Sequence, residues 1–315
     1  MGIKQSRQIL QQQQSNNSKI QTADTTTSHS HSTSSVIVDG RAYHNVEKST
    51  YILPRDELEQ DRLNSQHFSI KAMFAGNNIL PSVASRLPPN SKVLDVGCGS
   101  GSWVMEMAID YPEYDVIGLD MVDMFPTTIR PKNVRFDLLN VLNGLPYENN
   151  SFDLIHMRLM IVALRANEWE QVLTEIRRVL KPGGLLQLLE SDLTEKSSVP
   201  IVQQLNDAWH KSLLELGQDP WIAPKLGSIL TQLKFNVIDE QARGLDYGDK
   251  NDPVARELFG NWKNALQSLR PLIQHQLVER PELYDAFVER YLQGCAQGGW
   301  YIKVLAICAQ KPVEG

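Results

Sequence analysis

A strand that ends in three closely spaced glycines constrains the fold of this chain more than any other feature. Residues 92–101 read Lys-Val-Leu-Asp-Val-Gly-Cys-Gly-Ser-Gly, and helix-like sequence follows directly. A glycine-rich turn between a strand and a helix N-terminus is typical of nucleotide-binding sites, because the bare backbone can approach the ligand. The spacing here is G-x-G-x-G, which differs from the dinucleotide pattern G-x-G-x-x-G. Asp95, two places before the first glycine, would repel a phosphate and suits a ligand that carries positive charge.

Strand and helix patterns alternate along residues 92–190, which predicts an α/β fold with a mostly parallel, doubly wound sheet. Seven strands are predicted, at 92–96, 115–119, 134–136, 152–156, 185–190, 235–238 and 300–309. Helices are predicted at 56–68, 79–87, 102–111, 167–180, 198–217 and 252–294. Two of these helices begin with a capping box, formed by Asp56 with Glu59 and by Asn167 with Glu170.

Length, composition and charge limit the class of protein. The chain has 315 residues, 42% of them apolar, enough for one large α/β domain or two small ones. Its net charge of −6 argues against a nucleic-acid partner, since phosphate binding needs a basic face. Three scattered cysteines, Cys98, Cys295 and Cys308, favour a reducing compartment and predict no metal site. We expect a cytoplasmic protein, with the nucleus as the alternative, because no apolar run reaches membrane-spanning length.

Residues 1–35 differ in composition from the rest of the chain. They contain a polyglutamine run and a tract of Ser, Thr and His that cannot bury enough apolar surface to offset its ordering entropy. We therefore expect a disordered tail. Its first six residues match the N-myristoylation pattern at Gly2, which predicts weak membrane contact, and the alternative is a chance match.

Four segments between residues 80 and 192 carry a family resemblance. They are the glycine run, Val-Ile-Gly-Leu-Asp at 116–120, Leu-Pro-Tyr-Glu-Asn-Asn-Ser-Phe-Asp-Leu-Ile-His-Met-Arg at 145–158 and Arg-Val-Leu-Lys-Pro-Gly-Gly at 178–184. In this order they resemble the class I S-adenosylmethionine-dependent methyltransferases. The segments 51–63, 66–67 and 155–158 resemble a fungal group of these enzymes that includes regulators of secondary metabolism.

The resemblance implies a Rossmann-like domain over residues 36–315 that binds S-adenosylmethionine. It implies N-terminal lid helices in 36–90, a cofactor-binding core in 91–192, a helical acceptor or cap region with one strand in 193–299, and a final strand in 300–311. This places a helical insertion before the last strand of the sheet.

The resemblance also implies roles for individual residues. Gly97, Gly99 and Gly101 would admit the cofactor, Asp95 would orient its methionine portion and Val141 would donate a backbone N–H to the adenine. Asp120 ends the second predicted strand, where a doubly wound sheet places the ribose. Asn140 lies where the superfamily usually has an acidic residue near the adenine, although a turn asparagine explains it equally well.

Catalytic residues are harder to predict, because alignment and desolvation account for most of the catalysis of methyl transfer. His156 is the candidate general base, since it is predicted at the end of the fourth strand and titrates near neutrality. A packing or helix-capping histidine is the alternative. Arg158 could bind an acidic acceptor or pair on the surface, and Glu190 ends the fifth strand near the same edge. Aromatic residues of the C-terminal half could line an acceptor pocket, but their helical spacing favours core packing.

We therefore predict a methyltransferase that transfers the sulfonium methyl group to a small-molecule acceptor. One alternative is a non-catalytic regulator that keeps the fold and acts through protein partners. The other is an NAD(P)-dependent oxidoreductase, which the glycine spacing and Asp95 disfavour.

Overall fold

The computed structural model describes residues 35–38, 40–44, 51–247, 249, 251–298 and 300–313. The predicted tail, except for Ser35, and the candidate lipid site at Gly2 lie outside these residues. The strands are β1 (Ser35–Val38), β2 (Arg41–His44), β3 (Lys92–Val96), β4 (Asp115–Asp120), β5 (Val134–Leu138), β6 (Phe152–Arg158), β7 (Leu180–Ser191), β8 (Asn236–Asp246) and β9 (Tyr301–Gln310). The helices are α1 (Glu57–Met73), α2 (Pro81–Ala84), α3 (Ser102–Asp110), α4 (Trp169–Val179), α5 (Pro200–Glu215), α6 (Leu226–Gln232), α7 (Pro253–Leu277) and α8 (Tyr284–Ala296).

Strands β3 to β9 form a seven-stranded sheet in the order β5-β4-β3-β6-β7-β9-β8. The first five pair in parallel, and β9 runs antiparallel to both of its neighbours. The predicted mostly parallel, doubly wound sheet is confirmed. The chain moves outward in one direction from β3 to β5 and in the other from β6 onward. The carboxyl ends of β3 and β6 therefore form the crevice in which such sheets bind ligands.

The two faces of the sheet bury separate apolar cores, because successive strand residues point to opposite sides. Leu94 and Val96 of β3 pack in the layer that contains α4 and α6. Val93 packs in the layer that contains α1 and α3, and Asp95 shares its face by the same alternation. A third core joins α5, α7 and α8. Helix α1 packs along α7, and the Arg62 guanidinium donates to Asn261 Oδ1 at 2.9 Å.

Helix α1 begins as predicted. The Asp56 carboxylate accepts from the Glu59 N–H at 3.0 Å and also pairs with Arg41 of the hairpin β1–β2, which the sequence did not predict. Helix α2 is shorter than predicted, and α6 was missed. The predicted cap of α4 at Asn167 is wrong, because Glu168 is the N-cap and makes no side-chain capping bond.

Two strand boundaries differ in ways that affect the site. β6 continues past His156 to Arg158, because both added residues pair with β7. β7 begins at Leu180 rather than Leu185 and passes through the Pro-Gly-Gly segment that was expected to separate helix and strand. The strand can continue through this segment because its pairing with residues 152–154 of β6 shifts in register and because Gly183 adopts a left-handed φ of 79°. None of the described helices is both long and apolar enough to cross a membrane.

Candidate functional site

A cavity of about 560 Å³ opens at the carboxyl ends of β4, β3, β6 and β7. One side, which we call the turn half, is lined by Gly97, Gly99, Asp120, Asn140 and Val141. The other side, the helix half, lies under α5 and α7 and is lined by Asn206, Trp209, His210, Trp262 and Trp300. The turn half thus contains five of the predicted site residues, and the helix half comes largely from the predicted insertion.

Hydrogen bonds to β4 fix the glycine turn. The Gly97 and Cys98 N–H groups both donate to the Leu119 carbonyl at 2.9 Å. Gly97 and Gly99 have φ of 73° and 54°, in the left-handed region that favours glycine. A Cβ atom on Gly97 would lie 2.6 Å from Met160 Sδ, so a side chain there would have to displace Met160, which also lines the cavity. The turn therefore presents bare backbone to the cavity.

Asp120 joins the turn to the end of β4 and faces the cavity. Its Oδ2 accepts from the Gly99 N–H at 2.8 Å, and its Oδ1 accepts from the Val122 N–H at 2.9 Å. Burial raises the pKa of this carboxyl to about 6, while the two N–H donors oppose the rise. Because a carboxylate oxygen can accept more than one hydrogen bond, Asp120 can still bind the hydroxyls of a ligand.

Asn140 is both a turn residue and a cavity residue. Its Oδ1 accepts from the Leu142 N–H at 3.0 Å and caps the short 3₁₀ turn Val141–Asn143. This bond orients the side-chain amide, so its NH₂ group remains to donate to a ligand. Val141 lies beside it on the cavity wall.

Gly101 and Asp95 do not line the cavity. Gly101 is the N-cap of α3, and a Cβ atom there would lie 2.7 Å from Cζ of Phe136, whose ring stacks on Phe125. Its missing side chain therefore allows close packing rather than ligand approach. Asp95 is 2% exposed, and its Oδ1 lies 2.8 Å from Nδ1 of His156. Its carboxylate is directed into the layer of α1 and α3, so its position does not support the predicted contact with a ligand.

His156 is the partner of this buried carboxylate. Its ring stacks on Trp103 with centroids 4.1 Å apart and planes within 5°. Burial lowers the pKa of His156, and the neighbouring Asp95 opposes that effect. The ring does not line the 560 Å³ cavity. This position argues against the predicted general-base role and favours the packing alternative, because an acceptor in the cavity does not meet the imidazole.

Arg158 does line the cavity, at the end of β6, which β3 separates from the strand of Asp120. Its guanidinium makes no hydrogen bond or ion pair with any residue that the structure describes. Burial lowers its pKa, and the charges of Asp95 and Glu106 oppose this. The other cations on the cavity wall are ion-paired: Arg62 with Glu59, Arg165 with Glu168 and Lys303 with Asp192. Arg158 is therefore placed to bind a ligand anion.

Glu190 supports the cavity wall from behind. Its Oε2 accepts from the Met160 N–H at 2.7 Å, and its Oε1 accepts from the Ser191 N–H at 3.0 Å. Burial raises the pKa of Glu190 to about 8. These bonds hold the short turn after β6, which carries Met160 against Gly97.

The chain is similar in sequence to a known protein family and to several known proteins. A family model described as a methyltransferase domain matches residues 93–184. The secondary metabolism regulator LAE1 of Cochliobolus heterostrophus is 33% identical over 242 residues, which cover 73% of this chain and 77% of LAE1.

The chain belongs to the class I methyltransferase family that includes LAE1.

Two further relatives match a shorter region of this methyltransferase-family chain. The regulator laeA of Coprinopsis cinerea is 35% identical over 157 residues, and methyltransferase str2 of Strobilurus tenacellus is 37% identical over 154 residues. Each match covers 49% of this chain. The matched region spans 38% of that laeA and 54% of str2, so it corresponds to only part of either relative.

The helix half of this methyltransferase-family cavity is aromatic. Trp209 and Trp300 are each 7% exposed and belong to the core of α5, α7 and α8, as their spacing predicted, but they also line the cavity. Trp262 donates from Nε1 to the Tyr291 hydroxyl at 2.9 Å, which fixes its ring. His210 is one of the C-terminal aromatic residues that the sequence offered for an acceptor pocket, whereas Asn206 was missed as a cavity residue. Their spacing of four on α5 was the available signal, because it places two polar side chains on one helix face.

Proposed function

We propose that this protein binds S-adenosylmethionine in the turn half and transfers its methyl group to a small molecule in the helix half. One observation supports this most directly: a single cavity joins the glycine turn and Asp120 to an aromatic chamber under α5 and α7. Its volume of about 560 Å³ is typical of small-molecule sites.

The residues of the turn half fit the cofactor group by group. Asp120 would accept from the ribose hydroxyls, and the free NH₂ of Asn140, with the backbone of Val141, would bind the adenine edge. Arg158 would pair with the carboxylate of the methionine portion, since it is the cavity cation without a described partner. Gly97 and Gly99 leave the room that this approach requires.

The bound cofactor supplies an electrophilic methyl group on a sulfonium. The chain's own residues align the two ligands and exclude water, and such alignment accounts for much of the catalysis of bimolecular reactions. Helices α5 and α7 close the helix half, and Trp209, Trp262 and Trp300 give it apolar walls. A small acceptor suits this enclosed shape better than a polymer, and the net charge of −6 disfavours a nucleic-acid acceptor.

A regulatory role is the second candidate, because two of the compared relatives carry the name secondary metabolism regulator. Binding of cofactor without turnover would favour a regulator that acts through protein partners. The two roles are compatible if methyl transfer is the regulatory activity.

The experiment that separates the candidates uses cofactor labelled in the methyl group. The purified full chain is incubated with this cofactor and a deproteinised small-molecule extract, in parallel with Arg158→Ala and Trp262→Ala. We expect labelled small molecules with the wild type, weaker cofactor binding with Arg158→Ala, and unchanged cofactor binding but lost labelling with Trp262→Ala. Cofactor binding without labelled products in any extract fraction would instead support the non-catalytic role.

A further inference from the structure

Helix α5 presents a polar pair for which the proposed function has no role. Asn206 and His210 lie one helical turn apart, and both line the helix half. The side-chain amide of Asn206 makes no hydrogen bond with any residue in the described part of the chain. Around this pair the walls are formed largely by apolar and aromatic side chains, including Trp209 and Leu193. Two adjacent polar groups in an apolar chamber are typical of a site that orients a ligand.

The imidazole of His210 contacts residues outside helix α5. The Leu193 carbonyl acts on the His210 imidazole and raises its pKa, and the ring packs edge-on against Trp221 with ring centroids 5.7 Å apart. A neutral imidazole that donates through one nitrogen carries a lone pair on the other. Neutral His210 can therefore accept a proton on one of its ring nitrogens.

Burial favours the neutral form of this ring. Burial lowers the pKa of His210, and Asp207, on the same helix, opposes that effect. On the neighbouring segments, Asp192 pairs with Lys303, Asp219 pairs with Lys225, and Glu195 is exposed at the rim. None of these acids is ion-paired with His210 among the described residues.

The topology places His210 on the acceptor side of the cavity. Leu193 follows β7, and β6 and β3 separate β7 from β4, which carries Asp120. A ligand on Asp120 therefore leaves the space next to Leu193 and His210 for a second ligand.

We propose that Asn206 and His210 bind a hydroxyl group of the acceptor and that His210 removes the hydroxyl proton during transfer. This inference rests on the proposed function. The acceptor class is a small, ring-containing molecule with a hydroxyl group. An oxygen–carbon bond forms to the methyl group, and the carbon–sulfur bond breaks with its electron pair left on sulfur. The hydroxyl proton moves to the free imidazole nitrogen and is then lost to solvent.

A binding experiment tests the contact without turnover. The full chain, saturated with S-adenosylhomocysteine, is titrated with 4-ethylphenol or with 4-ethylanisole, which has the same ring but no hydroxyl proton. Imidazole nitrogen resonances are followed by NMR, and the His210 signals are assigned from His210→Gln. We expect 4-ethylphenol to shift the His210 signals and 4-ethylanisole to leave them unchanged. Equal shifts with both probes, or no shift with the phenol, would overturn the proposal.

A transfer experiment tests the proton step. With labelled cofactor and extract, His210→Gln should transfer methyl roughly 10²–10⁴-fold more slowly, the range for loss of a general base. Its cofactor affinity should stay within twofold of the wild type. His275→Gln is the matched control, because His275 is an exposed histidine of α7 outside the cavity lining. Full transfer by His210→Gln would refute the base role and leave the proposed function intact, whereas a wild type that fails to bind the cofactor would refute the proposed function.

Discussion

The turn half and the helix half of the cavity are built by different means. The centre of the turn half is formed largely by backbone atoms, because Gly97, Gly99 and the end of β4 are joined by hydrogen bonds within one strand–helix–strand unit. In the helix half, single side chains from α5, α7 and the segment before β9 meet across more than ninety residues. A site made by a local turn can therefore be recognised from the sequence, whereas a site made by side chains of distant helices can be recognised only from the folded structure.

The clearest contrast within the molecule is between Asp95 and Asp120. Both are acidic residues of neighbouring central strands, and both were predicted to contact the cofactor. Asp120 lies at the end of its strand and faces the cavity. Asp95 lies one residue inside its strand, on the face that carries α1 and α3, and bonds to His156. The following predictions test this division between cavity residues and supporting residues.

The largest effect is expected from His156→Ala. The variant leaves the Asp95 carboxylate buried without its partner, and removing one member of a buried pair typically lowers the free energy of unfolding by about 3–5 kcal/mol. Urea unfolding measures this loss. Cofactor affinity of the folded fraction should change little. A variant of normal stability that has lost methyl transfer would restore His156 as the general base.

Gly97→Val should weaken cofactor binding by more than 100-fold, or about 3 kcal/mol. The new side chain would meet Met160 at the cavity wall. Gly76→Val is the matched control, because Gly76 has a similar φ of 77° but open space around its Cβ position. Both variants should lose similar stability from backbone strain, and titration calorimetry should show weak binding only for Gly97→Val. Equal cofactor affinities would place the ligand elsewhere.

Acid should destabilise the layer of α1 and α3. Burial lowers the pKa of His67 from its ordinary value of 6.5 to about 4. Between pH 4 and pH 6.5 the unfolded chain binds a proton on His67 that the folded chain does not bind. His67 therefore costs no stability above pH 6.5, and the free energy of unfolding falls as the pH drops toward 4. The contribution is on the order of 3 kcal/mol at 1.36 kcal/mol per pKa unit. His67→Gln should flatten this fall in a series of urea melts, and the exposed His275→Gln should leave it unchanged.

The sequence predicted the sheet more completely than the site. Alternating patterns located every strand of the seven-stranded sheet, because hydrophobic periodicity is a local property. The same patterns placed the end of β6 and the start of β7 wrongly, because pairing between these two strands extends both beyond the residues that show the strand pattern. That error made His156 look like the last residue of a strand. The pairing of His156 with Asp95 depends on packing between two strands that are distant in sequence, which no local pattern records. For Asn206 and His210, the spacing on α5 indicates a shared helix face but not the cavity that this face lines.

The most direct test of the account is a calorimetric titration of the full chain with S-adenosylmethionine at pH 7.5. We predict saturable binding at one site, weakened in Asp120→Ala by about 1.5–3 kcal/mol, the range for hydrogen bonds to a charged group. Wild-type affinity should also fall as pH drops below about 6, because the ionised carboxylate that accepts from the ribose becomes protonated. Asp115→Ala, an exposed aspartate at the start of the same strand, should bind like the wild type. Absence of wild-type binding, or equal affinity in Asp120→Ala, would contradict the assignment of the turn half as the cofactor site.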